Sequence, residues 1–68
     1  MDYIEKIKQL RKKERYSQTE LSQKLGLSRS TYGLYETHKR NMDIETFRKI
    51  CIFFNVSADE LLGLPAKK

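Results

Sequence analysis

The sequence has one cysteine, one histidine, one proline, three glycines and no tryptophan. A lone Cys51 has no partner for an internal disulfide, and Cys51 with His38 falls short of a zinc ligand set, so the chain must fold on its apolar residues and suits a reducing cytoplasm. The longest apolar run is the five residues from Ile50 to Phe54, far too short to cross a bilayer, and the opening MDYIEKIKQL lacks the apolar stretch of an export signal. No Gly-rich phosphate loop, no nucleophile with a base and orienter, and no metal-ligand cluster is visible. The expectation is a protein that is not an enzyme, with no cofactor, no metal, no membrane span and no small-molecule effector domain. Repeats, low-complexity tracts and linkers are also missing, which points to one domain over residues 1–68, with a core at about 2–63 and a short tail at 64–68.

What the chain does have is charge and helical spacing. Fourteen Lys and Arg against nine Asp and Glu give a formal +5, which favours an anionic partner: nucleic acid first, an anionic membrane surface second, with plain solubility as the bland alternative. The 38% of residues that are apolar fall at helical spacing, so a small helical bundle is expected and disorder is not.

The most informative stretch is SQTELSQKLGLSRSTYGLYE, residues 17–36. Ser17 and Glu20 have capping-box spacing, with Tyr16 and Leu21 placed as a hydrophobic staple, so a helix should start at Gln18. It carries Leu21 and Leu25 on one face and should stop at Gly26. Ser28 then reads as the cap of a second helix running to Glu36, with Leu27 able to staple onto Tyr32. Helix, glycine-containing turn, cap and helix is the helix-turn-helix pattern, whose second helix enters the DNA major groove. Ser28, Arg29, Ser30 and Thr31 are short or donor-rich side chains at that helix start, a place that favours phosphate. A short amphipathic helix pair in any small bundle shows similar caps, so the local pattern alone leaves both readings open.

The flanks supply three more helices. Asp2 and Glu5 mark the start of the first, with Ile4, Ile7 and Leu10 as its buried stripe and Lys6, Lys8, Arg11, Lys12, Lys13 and Arg15 as its basic faces. Residues 37–42 read as a polar loop in which His38 tolerates an unusual backbone conformation and Lys39 and Arg40 suit phosphate contact. Asp43 caps a helix from about Ile44 to Phe54 with Ile44, Phe47, Ile50, Cys51 and Phe54 inward, Cys51 being a small core hydrophobe. Ile52 and Phe53 are surplus to that stripe, so this helix is either buried on more than one side or presents an apolar patch. Asn55 can end it in the left-handed conformation. Ser57 and Glu60 box a fifth helix, about Ala58 to Leu62, that ends at Gly63, and Leu64-Pro65 stops it before a frayed tail.

The ordered string Ile7-x-x-Leu10-Arg11, Ser17-Gln18-x-Glu20-Leu21-Ser22-x-Lys24-Leu25-Gly26-Leu27-Ser28-Arg29-Ser30-Thr31, Tyr35-Glu36, Lys39-Arg40 and Val56-Ser57-x-Asp59-Glu60-Leu61-Leu62-Gly63 resembles the Xre/Cro type of helix-turn-helix protein over about residues 4–63. The resemblance implies an all-α, compact five-helix bundle of lambda-repressor-like type with helices 2 and 3 as the helix-turn-helix. It implies base reading by Arg29, Ser30, Thr31 and Leu34, and phosphate contact by Gln18, joined by Ser28, Lys39 and Arg40. Arg11 and Glu36 match a pair that ties the first helix to the end of the reading helix, and Ile52, Leu62 and Leu64 fall where the family dimerises.

The sequence departs from the family at several places. Gly33 lies inside the reading helix, where its bare backbone either admits close approach to DNA or leaves the helix less rigid. Tyr32 stands for the usual aliphatic core residue, so its hydroxyl needs a partner or solvent. Thr37-His38 replaces Asn-Gly, and Ile52 replaces a polar residue. The function implied is a sequence-specific, double-stranded-DNA-binding transcriptional regulator, a repressor acting as a homodimer on an inverted repeat, because one short helix discriminates too few base pairs. Activation through a polymerase contact, an antitoxin or controller that regulates its own operon, and a protein-interaction module of the same fold are the alternatives carried forward.

Overall fold

The computed structural model describes residues 2–64, in which five helices follow in order: α1 Tyr3–Lys13, α2 Gln18–Lys24, α3 Thr31–Glu36, α4 Ile44–Phe54 and α5 Ala58–Leu62. The expected stop at Pro65 and the tail beyond it lie outside the described residues. Four of the five starts are set by local capping. Asp2 accepts from the Ile4 N–H at 3.1 Å, and Asp43 from the Thr46 N–H at 3.2 Å. Ser17 with Glu20 and Ser57 with Glu60 each close a reciprocal box, which satisfies donors that the first helical turn otherwise leaves open. Among the described residues Glu5 returns no bond to Asp2, so α1 has the cap without the box.

The start of α3 is different, and it corrects the Ser28 cap. The helix begins at Thr31, residues 28–31 form a turn in which the Thr31 N–H reaches the Ser28 carbonyl at 3.0 Å, and Ser30 occupies the cap position without a side-chain bond. The donor that needs a partner is the Tyr32 N–H, and it finds the buried Ser22 hydroxyl of α2 at 3.0 Å. The cap of α3 is therefore supplied across the turn by the preceding helix. Gly26 makes the turn possible: its φ of +72° lies in the left-handed region, which an L side chain enters only at a cost.

All five helices contribute to one core of Ile4, Ile7, Leu21, Leu25, Tyr32, Tyr35, Phe47, Ile50 and Leu61. Burial of this set removes roughly 1.5–3 kcal/mol of unfavourable exposure per large side chain. Aromatic pairs extend the core outward, with Tyr3 edge-to-face against Phe47 at 5.6 Å and Tyr16 tilted against Phe53 at 5.4 Å. The second contact takes Phe53 out of the surplus apolar residues of α4 and leaves Ile52 exposed. Ile44 is also exposed, at 80%, which corrects its inward assignment. At 100° per residue Ile44 lies about 120° from the fully buried Ile50, whereas Thr46 lies only about 40° away. Thr46 takes the inner place, its hydroxyl donating to Asp43 at 2.7 Å so that no buried polar atom is left open there.

Candidate nucleic-acid interface

The reading helix is fixed to the rest of the molecule from its far end. Arg11 on α1 donates through Nε and Nη2 to the Glu36 carboxylate at 2.7 and 3.1 Å, and through Nη1 to the Tyr16 carbonyl at 2.8 Å. A two-pronged guanidinium–carboxylate pair has this geometry, and here it joins α1, the approach to α2 and the C-terminus of α3. The side chains are only 11% and 3% exposed, so either partner alone would be a charge held away from water. Burial alone would raise the Glu36 carboxyl, but the donated hydrogen bonds, Arg11 foremost, outweigh it and hold the group below its ordinary range. The Arg11–Glu36 pair expected from the resemblance is present.

Gln18 joins the same cluster. Its Nε2 donates to the Glu36 Oε1 at 2.8 Å, and its Oε1 lies 2.9 Å from where a side chain at position 33 would begin. The bare backbone of Gly33 is thus filled from within the protein by Gln18. Tyr32 is fully buried, with its hydroxyl beside Arg11 and Glu36 but in hydrogen-bond geometry with neither. Burial first, and then the Glu36 carboxylate, push that phenol well above its ordinary range, so it stays neutral.

Outside this cluster the expected contact residues are available to a ligand. Ser28, Arg29 and Ser30 are exposed, and Thr31 and Leu34 are half-buried on α3. Because Ser22 meets the capping need, the Ser30 hydroxyl is not spent on its own helix. Lys39 and Arg40 are exposed, and their backbone N–H groups converge on the Leu34 carbonyl at 3.0 and 3.3 Å, wrapping the loop around the end of α3. His38 makes that wrap with a φ of +60°, the unusual conformation expected of it. Ser28, Thr31 and Arg40 share one shallow groove between the turn and α4. The three expected interface residues are not brought together. Leu62 lies with Tyr3, Met42, Ile44 and Phe47, while Ile52 lies with Lys24, Leu25, Lys49 and Phe53. Leu64 is 54% exposed.

Sequence reasoning missed Ser22 as the cap of α3 and placed the exposed Ile44 inward. The signal for Ser22 was its place on the Gln18–Leu25 face of α2, where a small hydroxyl faces the next helix.

A family model described as helix-turn-helix matches residues 7–61, the span that runs from the core of α1 to α5. The chain belongs to the lambda-repressor-like helix-turn-helix family. Among its curated relatives are three from Bacillus subtilis (strain 168): the HTH-type transcriptional regulator ImmR, 36% identical over 93% of this chain and 50% of its own length; the HTH-type transcriptional regulator AnsR, 32% identical over 96% and 56%; and the uncharacterized HTH-type transcriptional regulator YobD, 31% identical over 91% and 55%. The chain thus spans about half the length of these helix-turn-helix relatives. No solved structure matches it. Among the described residues no helix is long and apolar enough to cross a membrane, and no cluster of metal-ligating side chains occurs.

Proposed function

We propose that this domain is a sequence-specific DNA reader that serves a transcriptional regulator, with α3 in the major groove. The observation that carries the reading is the anchored α3: its far end is clamped to α1 through Arg11 and Glu36, while Ser28, Arg29 and Ser30 at its near end stay exposed and unspent. In this reading Arg29 gives a two-pronged pair to guanine, with Ser30, Thr31 and Leu34 as further base contacts. Gln18, Ser28, Lys39 and Arg40 hold phosphates and set the register. The domain acts as a homodimer on half-sites roughly 34 Å apart, and the bound dimer represses by covering promoter DNA. Its five helices act as one domain, and its place is the cytoplasm.

A protein-interaction module of the same fold would need an apolar reading face, for which Tyr32, Gly33 and Leu34 are the residues on offer. Tyr32 is buried and Gly33 is covered by Gln18, which leaves Leu34 alone. Selection of sites from a random duplex pool with the purified protein tests the proposal. Enrichment of an inverted repeat is the expected outcome, and weak, salt-sensitive binding with no enriched sequence would sink it.

A further inference from the structure

We infer that Gly33 is a positioning residue that acts on DNA binding through Gln18, a role resting on the DNA-reading proposal above. Gly33 sits in the middle of α3, where helix propensity alone favours almost any other residue. Its lack of a side chain has a specific beneficiary. A Cβ there would stand 2.9 Å from the Gln18 Oε1 and 3.6 Å from its Cδ, and the shorter of these is a separation that real side chains do not keep. With no Cβ, the Gln18 side chain lies across α3 and its Nε2 donates to Glu36 at 2.8 Å. Glu36 is itself pinned by the two bonds from Arg11. An amide nitrogen carries two N–H groups. Glu36 takes one, and the other remains on an exposed residue at the first position of α2, oriented before any phosphate arrives. Glu36 also aligns the amide, because an acceptor-only carboxylate can face only its nitrogen side.

The displaced atom would be the tip of a flexible side chain, not backbone. Gly33→Ala therefore leaves the fold intact and improves the intrinsic propensity of α3, while pushing Gln18 off Glu36. Stability and DNA affinity should move in opposite directions, which no general loosening of the helix would produce.

The test is a double-mutant cycle of Gly33→Ala and Gln18→Ala, read by operator affinity, by thermal midpoint, and by the side-chain amide signals of the free protein in two-dimensional NMR. The expected result is a thermal midpoint for Gly33→Ala at or above that of the parent, and Gln18 amide signals shifted to free-glutamine positions. Operator affinity should fall about tenfold, the scale of one charge-assisted hydrogen bond, with base preference unchanged. In the Gln18→Ala background the same change should have almost no further effect. An equal loss in both backgrounds, or unmoved Gln18 signals, would overturn the inference. A parent protein that selects no DNA sequence overturns the DNA-reading proposal instead, and does so before any variant is compared.

Discussion

At the scale of single residues, the buried Tyr32 hydroxyl has the clearest energetic consequence. It has no hydrogen-bond partner, and a buried polar group left open costs roughly 1–3 kcal/mol relative to one that is paired or absent. Tyr32→Phe keeps the ring, and its edge-to-face contact with Tyr35 at 6.5 Å, while removing the open group. The variant should be more stable by about 1 kcal/mol in urea unfolding; a loss of that size would mean that the hydroxyl is bonded within the Arg11–Glu36 cluster. Arg29 and Lys39 separate on a different axis. Arg29→Ala should lose roughly 1–3 kcal/mol of discrimination at one base position, measured by binding to single-base operator variants. Lys39→Ala should weaken all sequences alike and lower the slope of log affinity against log salt by about one. A change in base preference on removing Lys39 would move that loop from the phosphate backbone to the bases.

At the scale of elements, α3 is a six-residue helix, too short to stand alone, and it is held from both ends by other helices. Ser22 of α2 takes its first free donor and Arg11 of α1 holds its last residue. The far clamp depends on pH. The folded-state carboxyl of Glu36 lies below its ordinary range, so its contribution is fully present at neutral pH and is lost as the pH falls through about 5 and below. Glu20 and Asp43 are also lowered, each chiefly by hydrogen bonds from its own helix start, and they add to the same acid limb. Glu36→Gln should cost about 1–3 kcal/mol at pH 7 and flatten the fall in stability below about pH 5. An acid limb as steep as the parent's would place the titration elsewhere.

What could be read from the sequence follows the same division. The boxes at Ser17 and Ser57 and the left-handed Asn55 were legible because capping is decided within four residues. The start of α3 was misplaced because its cap comes from Ser22, ten residues away, and the chain shows that distance only once α2 and α3 are crossed. Ile44 was misassigned because apolar spacing cannot show that Thr46, with its hydroxyl satisfied by Asp43, would take the inner position. The role of Gly33 was open between DNA approach and looseness, because its neighbour Gln18 is fifteen residues earlier and reaches it only through the fold.

At the scale of the whole molecule, the exposed apolar residues suggest how two copies would meet. Leu62 and the unexpected Ile44 border one patch with Tyr3, Met42 and Phe47, whereas Ile52 faces another beside Lys24 and Lys49. Two lysines beside Ile52 would have to be desolvated, or confronted with their own copies, in a two-fold contact, and that costs more than burying Ile44 against Leu62. The Ile44–Leu62 patch is therefore the better candidate for the homodimer, with Ile52 outside it. Leu62→Asp should give a monomer in sedimentation at concentrations where the parent is a dimer, and Ile52→Asp should leave the dimer in place. If the proposed homodimer binds two half-sites together, the monomer should keep its preference for a half-site but lose most of its affinity for the full repeat. If Ile52→Asp dissociates the dimer and Leu62→Asp does not, the two copies meet through the lysine-flanked face and the half-site geometry has to be rebuilt from that contact.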